Sequence, residues 1–419
     1  PALGWGVGEW NESTWGTVRD GTSTTVSLNS TQWSFALWGD DLLLNNRNGQ
    51  IYYWDFSDGE NTRATLVSAE SGASDVPTKA STIAVSFPDR HVIAGGANTL
   101  GSSTQDPMLV RFSTQEDFTV FTPTSTNTSG DQRLEVGSKI IAMTPSKDEM
   151  IIQTDEAIYG MTFVGPPFTF SFRLLGVNCG AVAIHGTHAI GADIYWIGKS
   201  NFFIYNGSVQ ELPCSVQYYV FDRMQADYID KTYVAHNKKF NEISWFYVSE
   251  DNSAGSDDPE PDSYVTYNYA DQNWTIGTMQ RNVWHDARGF RKVPFAFDKD
   301  GKLYNHETGN GDNGASMSCH IETGEVEIDE GGNNLFMVDK IIPDATLTEN
   351  TNLYVELKSR KYPTATEVTK GAFTVTPSTQ KISTRAKGRQ LAVKVSSTGS
   401  NDQWSLGDFR VNVRKDGLR

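Results

Sequence analysis

Short runs of apolar residues separated by polar turns fill most of the chain between residues 30 and 310, and helical periodicity is almost absent. The runs are rich in β-branched and aromatic residues and are cut at close intervals by Gly, Asp and Asn, which is typical of short strands joined by tight turns. Four hairpins are predicted, from residues 42–44 with 51–54, 150–154 with 157–161, 194–197 with 202–205, and 295–297 with 303–304. The pattern predicts an all-β fold.

The predicted hairpins recur along the chain. Strands begin near Ile51, Leu109, Ile151, Ile194, Ile243 and Phe295. The spacing of about 40 to 60 residues is near that of the four-stranded blades of a β-propeller. We therefore predict a β-propeller of six or seven blades over residues 18–315. Two stacked β-sandwiches would give similar local patterns and stay open as an alternative.

The two ends of the chain differ from this middle part. Residues 1–17 form an arm rich in Trp and Gly. Residues 353–358, 372–376, 391–396 and 409–413 alternate polar and apolar positions, which favours a half-exposed antiparallel sheet and hence a separate C-terminal β domain over residues 320–419. Within the propeller, the acidic segment 249–262 separates two strong strands and is predicted to be a mobile loop that buries nothing.

The net charge of −16 is unevenly distributed. Residues 337–419 hold 14 Lys and Arg against 8 Asp and Glu, a balance of +6, so the first 336 residues hold 21 against 43, a balance of −22. Such an acidic field repels phosphate backbones and argues against sequence-specific nucleic-acid binding by the large part of the chain. Plain solubility is the simpler explanation of the same charge.

Cysteine usage and hydropathy restrict the class of protein further. Three scattered cysteines and no C-x-x-C pair indicate reduced thiols in a protein made in a cytoplasm. No apolar run approaches the roughly 20 residues needed to span a bilayer. The chain begins with Pro1 rather than Met, which predicts that an initiator Met or an upstream segment is missing.

Candidate chemistry is sparse along the chain. His185 and His188 flank a predicted turn without metal-ligand spacing, and Asp298 to Gly301 fits a hairpin tip better than a calcium loop. No G-x-S-x-G nucleophile elbow occurs. We predict no catalytic, cofactor-binding or metal-binding residues, and a protein that is not an enzyme.

Two groups of residues are candidates for assembly contacts. Trp5, Trp10 and Trp15 recur at a period of five, which matches neither a strand nor a helix, so their indoles pack on the first blade or contact a neighbouring subunit. Arg385, Arg389, Arg410 and Arg414 form the second group. These arginines either make a solvated edge that deters aggregation or dock onto an acidic neighbour.

Several segments resemble a family of virion structural proteins from tailed phages. They are Gly4-Trp5-Gly6 with Trp15-Gly16-Thr17, residues 125–131, Gly165-Pro166-Pro167-Phe168, Leu212-Pro213-Cys214, residues 240–247, residues 303–309, and Gly388-Arg389-Gln390 with Trp404-Ser405-Leu406-Gly407. In these segments the chain resembles the tail hub or nozzle proteins of short-tailed phages, also called packaged-DNA stabilisation proteins.

The resemblance implies a ring of identical subunits, expected to be a hexamer, in a virion tail that is assembled in the bacterial cytoplasm. Such a ring extends the DNA channel, helps to retain the packaged genome without sequence-specific DNA binding, and contacts adaptor, fibre or needle proteins of the tail. The family implies no cofactor. A collar or fibre-adaptor role, and a propeller that binds or depolymerises host-surface carbohydrate, stay open as alternatives.

Overall fold

The computed structural model describes residues 30–87, 89–147, 149–253, 259–289, 291–327, 334–349, 351–399 and 402–417. The chain divides into two compact units, an N-terminal unit (Pro1–His306) and a C-terminal unit (Glu307–Arg419). Strands dominate both units in the described residues, which confirms the predicted all-β fold.

The N-terminal unit is a series of antiparallel sheets, each built from strands that follow one another in the chain. Blade one contains β1 (Trp33–Trp38), β2 (Asp41–Asn46), β3 (Ile51–Trp54) and β4 (Thr65–Leu66). Blade two contains β5 (Thr82–Val85), β6 (Val92–Gly95), β7 (Leu109–Phe112) and β8 (Gly130–Arg133). Blade three contains β9 (Ile140–Pro145), β10 (Met150–Thr154), β11 (Ala157–Gly165) and β12 (Thr169–Val177).

Three further sheets complete the N-terminal unit. Blade four contains β13 (Thr187–Ile190), β14 (Asp193–Ile197), β15 (Phe202–Tyr205) and β16 (Val209–Leu212). Blade five contains β17 (Tyr233–Asn237), β18 (Glu242–Tyr247), β19 (Ser263–Asn268) and β20 (Asn273–Thr278). Blade six has three strands, β21 (Val283–His285), β22 (Phe295–Phe297) and β23 (Leu303–Asn305).

The first strand of each blade is the inner strand. Inner strands of consecutive blades contact each other, from β1 and β5 through β9, β13 and β17 to β21. Sheets that meet through their first strands in this way radiate from a common axis as the blades of a propeller. The predicted β-propeller is therefore confirmed, and the described residues form six blades.

Apolar side chains fill the space between neighbouring blades. Blades one and two share a core that contains Leu43 and Ala94. Blades four and five share a core around Trp245. Burying one such aromatic side chain contributes about 2–3 kcal/mol. Because each strand presents alternate residues to its two neighbours, a blade in the middle of the series is buried on both faces, which explains the continuous burial of β5, β6 and β10.

Two fully buried tryptophans occupy matching positions on the second strands of blades four and five. The Trp196 indole N–H donates to the Cys179 carbonyl oxygen at 2.9 Å, and the Trp245 indole N–H donates to the Gly186 carbonyl oxygen at 3.0 Å. A buried indole needs such an acceptor, because an unpaired N–H in an apolar core is costly. Both acceptors lie between β12 and β13, so the two indoles fix the second strands of blades four and five to this one segment.

Helices in the described residues are short and lie in connections between strands, either within a blade or between two blades. They are α1 (Gln217–Arg223), α2 (Glu250–Ser253), and three 3₁₀ turns at Phe56–Asp58, Val67–Ala69 and Ala226–Lys231. The acidic segment 249–262 was predicted to bury nothing, which is wrong at both of its ends. The Asp262 carboxylate accepts hydrogen bonds from the backbone N–H and the hydroxyl of Ser249, and Ser249 is buried.

The turn between β22 and β23 is the predicted hairpin tip. The Asp298 carboxylate accepts hydrogen bonds from the backbone N–H groups of Asp300 and Lys302, both at 2.9 Å, and Gly301 has a φ of +75°. This left-handed conformation favours glycine because it has no Cβ. The carboxylate stabilises the turn itself.

The C-terminal unit consists of three antiparallel groups of strands. The largest sheet contains β24 (Cys319–Glu322), β25 (Val326–Glu327), β28 (Leu353–Arg360), β29 (Val368–Val375) and β31 (Gln390–Ser397). The second contains β26 (Phe336–Ile342), β30 (Ile382–Gly388) and β33 (Arg410–Lys415), and β27 (Ala345–Leu347) pairs with β32 (Trp404–Leu406). Along β28 burial alternates strictly, so Val355 and Leu357 face the core of this unit, as the sequence pattern predicted.

Candidate functional site

Three of the four predicted arginines lie on the outward face of one sheet. In the sheet β30-β26-β33, Arg385 projects from β30 on the same side as the exposed residues Ser383 and Lys387, while Arg410 and Arg414 project from β33. Lys387 lies opposite Met337 on this face, and Lys340 lies opposite Ser383 and Asn412. We call Arg385, Lys387, Lys340, Arg410 and Arg414 the basic face.

Some of these charges are neutralised within the unit. Arg414 Nε lies 2.8 Å from a carboxylate oxygen of Asp339, and Lys387 Nζ lies 2.5 Å from one of Asp416. Both pairs are solvent-exposed, so each contributes less than about 1 kcal/mol. Among the described residues neither Arg385 nor Arg410 has a carboxylate within ion-pair distance, so these two guanidinium groups are available for another molecule.

Arg389 lies apart from the basic face, in the turn between β30 and β31. Its guanidinium donates to the Lys361 carbonyl oxygen at 3.0 Å, and its backbone N–H donates to the Arg360 carbonyl oxygen at 2.7 Å. These bonds join the β30–β31 turn to the end of β28. The structure therefore gives Arg389 a role inside the unit.

The C-terminal unit as a whole is not basic. Residues 307–419 hold 14 Lys and Arg against 15 Asp and Glu, a balance of −1, while residues 1–306 hold 21 against 36, a balance of −15. Seven of these 15 acidic residues come from segment 307–336, where Glu322 pairs with Lys358 and Glu325 pairs with Arg360. The positive balance predicted from the sequence therefore holds for residues 337–419 but not for the whole unit.

Trp5, Trp10 and Trp15 lie outside the described residues, but the blade that follows them exposes a large apolar surface. On β1, Trp33, Phe35 and Leu37 are 40%, 58% and 66% exposed. Strand pairing puts the half-buried side chains of β2 and β3 on the same side of the sheet. We call this surface of blade one the open face, which comprises Trp33, Phe35, Leu37, Leu42, Leu44, Tyr52 and Trp54.

The beginning of blade one is fixed to the segment before blade five through Asp230. The Asp230 carboxylate accepts hydrogen bonds from the Ser30 backbone N–H at 3.1 Å and hydroxyl at 2.9 Å. It also pairs with the Arg47 guanidinium at 3.1 Å, and the Gln32 amide donates to the Asp230 carbonyl oxygen at 2.6 Å. Both charged side chains, Arg47 and Asp230, are largely buried. The cluster links residues some 200 positions apart in the chain.

Sequence reasoning missed a buried relay of hydrogen bonds in blade two. His91 Nδ1 lies 2.7 Å from an Asp89 carboxylate oxygen, and His91 Nε2 lies 3.0 Å from the Thr128 hydroxyl. Burial acts to raise the pKa of the Asp89 carboxyl, but the hydrogen bonds from His91 and Ser86 outweigh it, so the pKa lies below its ordinary value. The carboxylate is therefore charged at neutral pH and orients the imidazole.

The relay has the same order of groups as a catalytic triad, which is hydroxyl, imidazole and carboxylate, but its contacts indicate a structural role. Thr128 already accepts a hydrogen bond from the Gln115 backbone N–H at 2.8 Å and contacts the Thr114 hydroxyl at 3.2 Å. His91 is fully buried and packs edge-on against Phe170. A nucleophile needs an exposed oxygen with a free lone pair, so this arrangement stabilises the loop 122–130 and offers no oxygen for attack.

A cavity of about 220 Å³ lies between blades two and three, beside Asp89. Glu149 from the β9–β10 turn and Phe87, Phe163 and Phe170 also line it. The Glu149 carboxylate accepts a hydrogen bond from the Tyr205 hydroxyl at 2.5 Å and lies 3.5 Å from the Arg173 guanidinium. Both carboxylates of the cavity are therefore held by protein groups.

Two histidines meet at the inner strands of blades four and five. The rings of His188 on β13 and His236 on β17 are 5.1 Å apart, and His236 Nδ1 lies 3.9 Å from an Asp286 carboxylate oxygen. Burial lowers the pKa of His188 to about 4, and the positive charge of Arg288, with that of His236 when it is protonated, acts in the same direction. Burial also lowers the pKa of His236, although Asp286 opposes the change. Both imidazoles are neutral at pH 7.

The turn predicted at Gly186 and Thr187, between His185 and His188, is wrong at Thr187, because β13 already begins at that residue. Within the described ranges no three His, Cys, Asp or Glu side chains are grouped as a metal site would require. No helix in the same ranges has the length and apolar character that crossing a membrane demands.

Comparisons with known proteins give fold-level likenesses. Neither a protein-family model nor a curated protein sequence matches the chain. BamB from Moraxella catarrhalis is 11% identical, with 65% of this chain and 70% of that chain covered and a TM-score of 0.36. Hsv2p from Kluyveromyces lactis is 10% identical, with 66% and 74% covered and a TM-score of 0.35.

A third similar structure is the extracellular domain of the hybrid two component system BT3049 from B. thetaiotaomicron. It is 8% identical, with 88% of this chain but 48% of that chain covered and a TM-score of 0.38. At these identities the likenesses do not bear on activity or partners. The order of the sheets and the contacts between inner strands define this chain as a β-propeller protein with an additional C-terminal β unit.

Proposed function

We propose that this chain is a structural component of a phage tail, in which identical subunits form a ring, expected to be a hexamer. At the hub or nozzle the ring extends the DNA channel and helps to retain the packaged genome. Its function is assembly rather than catalysis. Its other partners in the virion are adaptor, fibre or needle proteins of the tail.

The observation that carries this proposal is the basic face on an otherwise acidic molecule. Arg385 and Arg410 are exposed and lack a carboxylate partner in the described part of the chain, whereas residues 1–306 carry a balance of −15. Guanidinium groups bind carboxylates in a fork geometry, so the basic face suits the acidic surface of another copy. Repeating one such heterologous contact closes a ring when the rotation allows it.

The acidic balance also fits a DNA channel. A wall with negative charge does not attract the phosphate backbone, so DNA slides along it without adhering. The sequence segments that resemble tail hub and nozzle proteins support the same proposal.

The test is to image the purified full chain by negative-stain electron microscopy over a range of protein concentrations. We expect closed rings of uniform stoichiometry, and no retention of double-stranded DNA at physiological salt. A chain that stays monomeric at every concentration, or that binds DNA tightly, would contradict the proposal.

The cavity beside Asp89 and Glu149 favours a second candidate, a propeller that binds or depolymerises carbohydrate. Paired carboxylates with aromatic rings are the groups that glycosidases use. The first proposal is stronger because both carboxylates are already held by neighbouring side chains. Binding of a host polysaccharide that is lost in Asp89→Asn and Glu149→Gln would favour this candidate instead.

A further inference from the structure

The open face of blade one is unpartnered among the described residues, while the opposite face of the same sheet is buried. Leu43 and Ile51 pack on blade two and are 0% and 1% exposed. In contrast, Phe35 and Leu37 expose most of their surface. Monomeric proteins rarely leave a contiguous patch of large apolar side chains in water, so this surface requires a cover.

We propose that residues 1–29 of the same chain cover the open face, with the indoles of Trp5, Trp10 and Trp15 as the main apolar contacts. This proposal does not rest on the phage-tail function. It assigns one occupant to the open face and one site to the three tryptophans.

The first argument is where the segment 1–29 joins the described structure. It ends at Ser30, which Asp230 holds through the backbone N–H and the hydroxyl, and Trp33 on the open face follows three residues later. The six-residue strand β1 is about 20 Å long at roughly 3.3 Å per residue. A segment of 29 residues therefore reaches every part of the open face.

The second argument is composition. Segment 1–29 contains Trp5, Trp10 and Trp15 together with Gly4, Gly6, Gly8 and Gly16. Glycines let a backbone approach a flat surface closely, and indoles bring a large apolar area at a low cost in side-chain entropy. A spacing of five suits neither one strand face nor one helix face, and it distributes the indoles over a broad surface instead.

The third argument decides between this chain and a neighbouring copy. A short tether gives the attached segment an effective concentration in the millimolar range at its own blade. The same segment of a neighbouring subunit competes for the open face only when the protein concentration is also in the millimolar range. Covering within one chain is therefore favoured over exchange between chains.

The first experiment measures access to the open face. Leu37→Cys is introduced into a full chain in which Cys214 and Cys319 are serine, and its rate of labelling by a maleimide is compared with and without alanine at Trp5, Trp10 and Trp15. We expect the alanine substitutions to accelerate labelling about tenfold, which corresponds to about 1.4 kcal/mol of docking free energy. Since Leu37 is largely exposed in the described structure, its replacement removes little packing.

The matched control is Phe168→Cys, on the β11–β12 turn of blade three, where the side chain is 79% exposed. Its labelling rate should not respond to the tryptophan substitutions. Equal labelling of Leu37→Cys with and without the tryptophans would overturn the proposal, as would an equal response at Phe168→Cys.

The second experiment identifies the source of the cover. Thr14→Cys and Phe56→Cys, the latter beside Trp54 at the edge of the open face, are joined by a short bifunctional thiol reagent. The sample is an equal mixture of chains with natural and heavy nitrogen. Cross-links within chains of one isotope support the proposal, whereas mixed-isotope products or the absence of a cross-link contradict it.

Discussion

At the scale of single residues, burial and neighbouring charge determine the pKa values of His188 and His306 in the N-terminal unit. His188 faces His236 and Arg288, with Asp286 the nearby carboxylate. His306 in blade six has its pKa lowered to about 4 by burial and by Arg281, whose Nε lies 3.0 Å from the imidazole. These imidazoles resist protonation in the folded chain, whereas in the unfolded chain they titrate near pH 6.5.

The folded chain should therefore lose stability as the pH falls from about 6.5 towards 4, because only the unfolded chain takes up protons at these sites. His188→Gln removes one such site. Between pH 7 and pH 5 it should reduce the loss in free energy of unfolding by about 2 kcal/mol. Urea unfolding at the two pH values measures the difference.

His320→Gln is the matched control, since His320 is an exposed histidine on β24 of the C-terminal unit. If the free energy of unfolding falls between pH 7 and pH 5 by the same amount in His188→Gln, His320→Gln and wild type, His188 does not cause the loss of stability in acid.

The sequence predicts little of this residue-scale arrangement. The spacing of His185 and His188 excludes a helical metal pair, but it does not place His188 beside a residue 48 positions later. The Asp89–His91–Thr128 relay is hidden for the same reason, since Thr128 reaches His91 only after strands β6 to β8 have paired. Such contacts depend on tertiary packing, which local pattern does not encode.

At the scale of elements, the cluster around Asp230 holds the beginning of blade one. Asp230→Ala removes the carboxylate that Ser30 and Arg47 contact and leaves the Arg47 guanidinium largely buried without its partner. We expect the N-terminal unit to lose about 2–3 kcal/mol of stability, the scale of hydrogen bonds to charged groups. Denaturant unfolding followed by tryptophan fluorescence measures the loss.

Asp227→Ala is the matched control, because Asp227 lies on the same 3₁₀ turn with an exposed side chain. If both variants unfold at the same denaturant concentration, Asp230 does not stabilise blade one.

Elements are also where the sequence predicts most. The hairpins β2–β3, β10–β11, β14–β15 and β22–β23 form as their patterns indicate, because each brings together neighbouring strands through a polar turn. The ends of the acidic segment 249–262 were misjudged, because the Ser249 contact with Asp262 joins the two ends of a loop whose composition is otherwise polar. The sequence pattern also does not predict the open face, since Phe35 and Ile83 are both apolar although Phe35 is exposed and Ile83 is buried.

At the scale of the whole molecule, the proposed ring assembly predicts a role for the basic face. Replacing Arg385 and Arg410 together by alanine should weaken ring assembly at least about tenfold, or about 1.4 kcal/mol, and should reduce its dependence on salt. The reason is that an arginine desolvated against a carboxylate loses far more on truncation than an exposed one. Analytical ultracentrifugation across a salt series measures the change.

Arg133→Ala is the matched control, an exposed arginine of blade two that pairs with Asp106. Arg389→Ala should act differently, by destabilising the β30–β31 turn through loss of its bond to Lys361. If neither salt nor the double substitution changes assembly, the basic face contributes only to solubility.

The consecutive pairing of strands within each blade also shapes how the chain folds. Within blades one to six, every sheet pairs neighbours in sequence, so the contact order inside a blade is low and each blade can form while the ribosome is still adding the next one. The bond between Ser30 and Asp230 is different, since it closes a loop of 200 residues. It cannot form until blade four has been synthesised, so until that moment the first strand of blade one is paired with β2 alone and its beginning lacks the contact with Asp230.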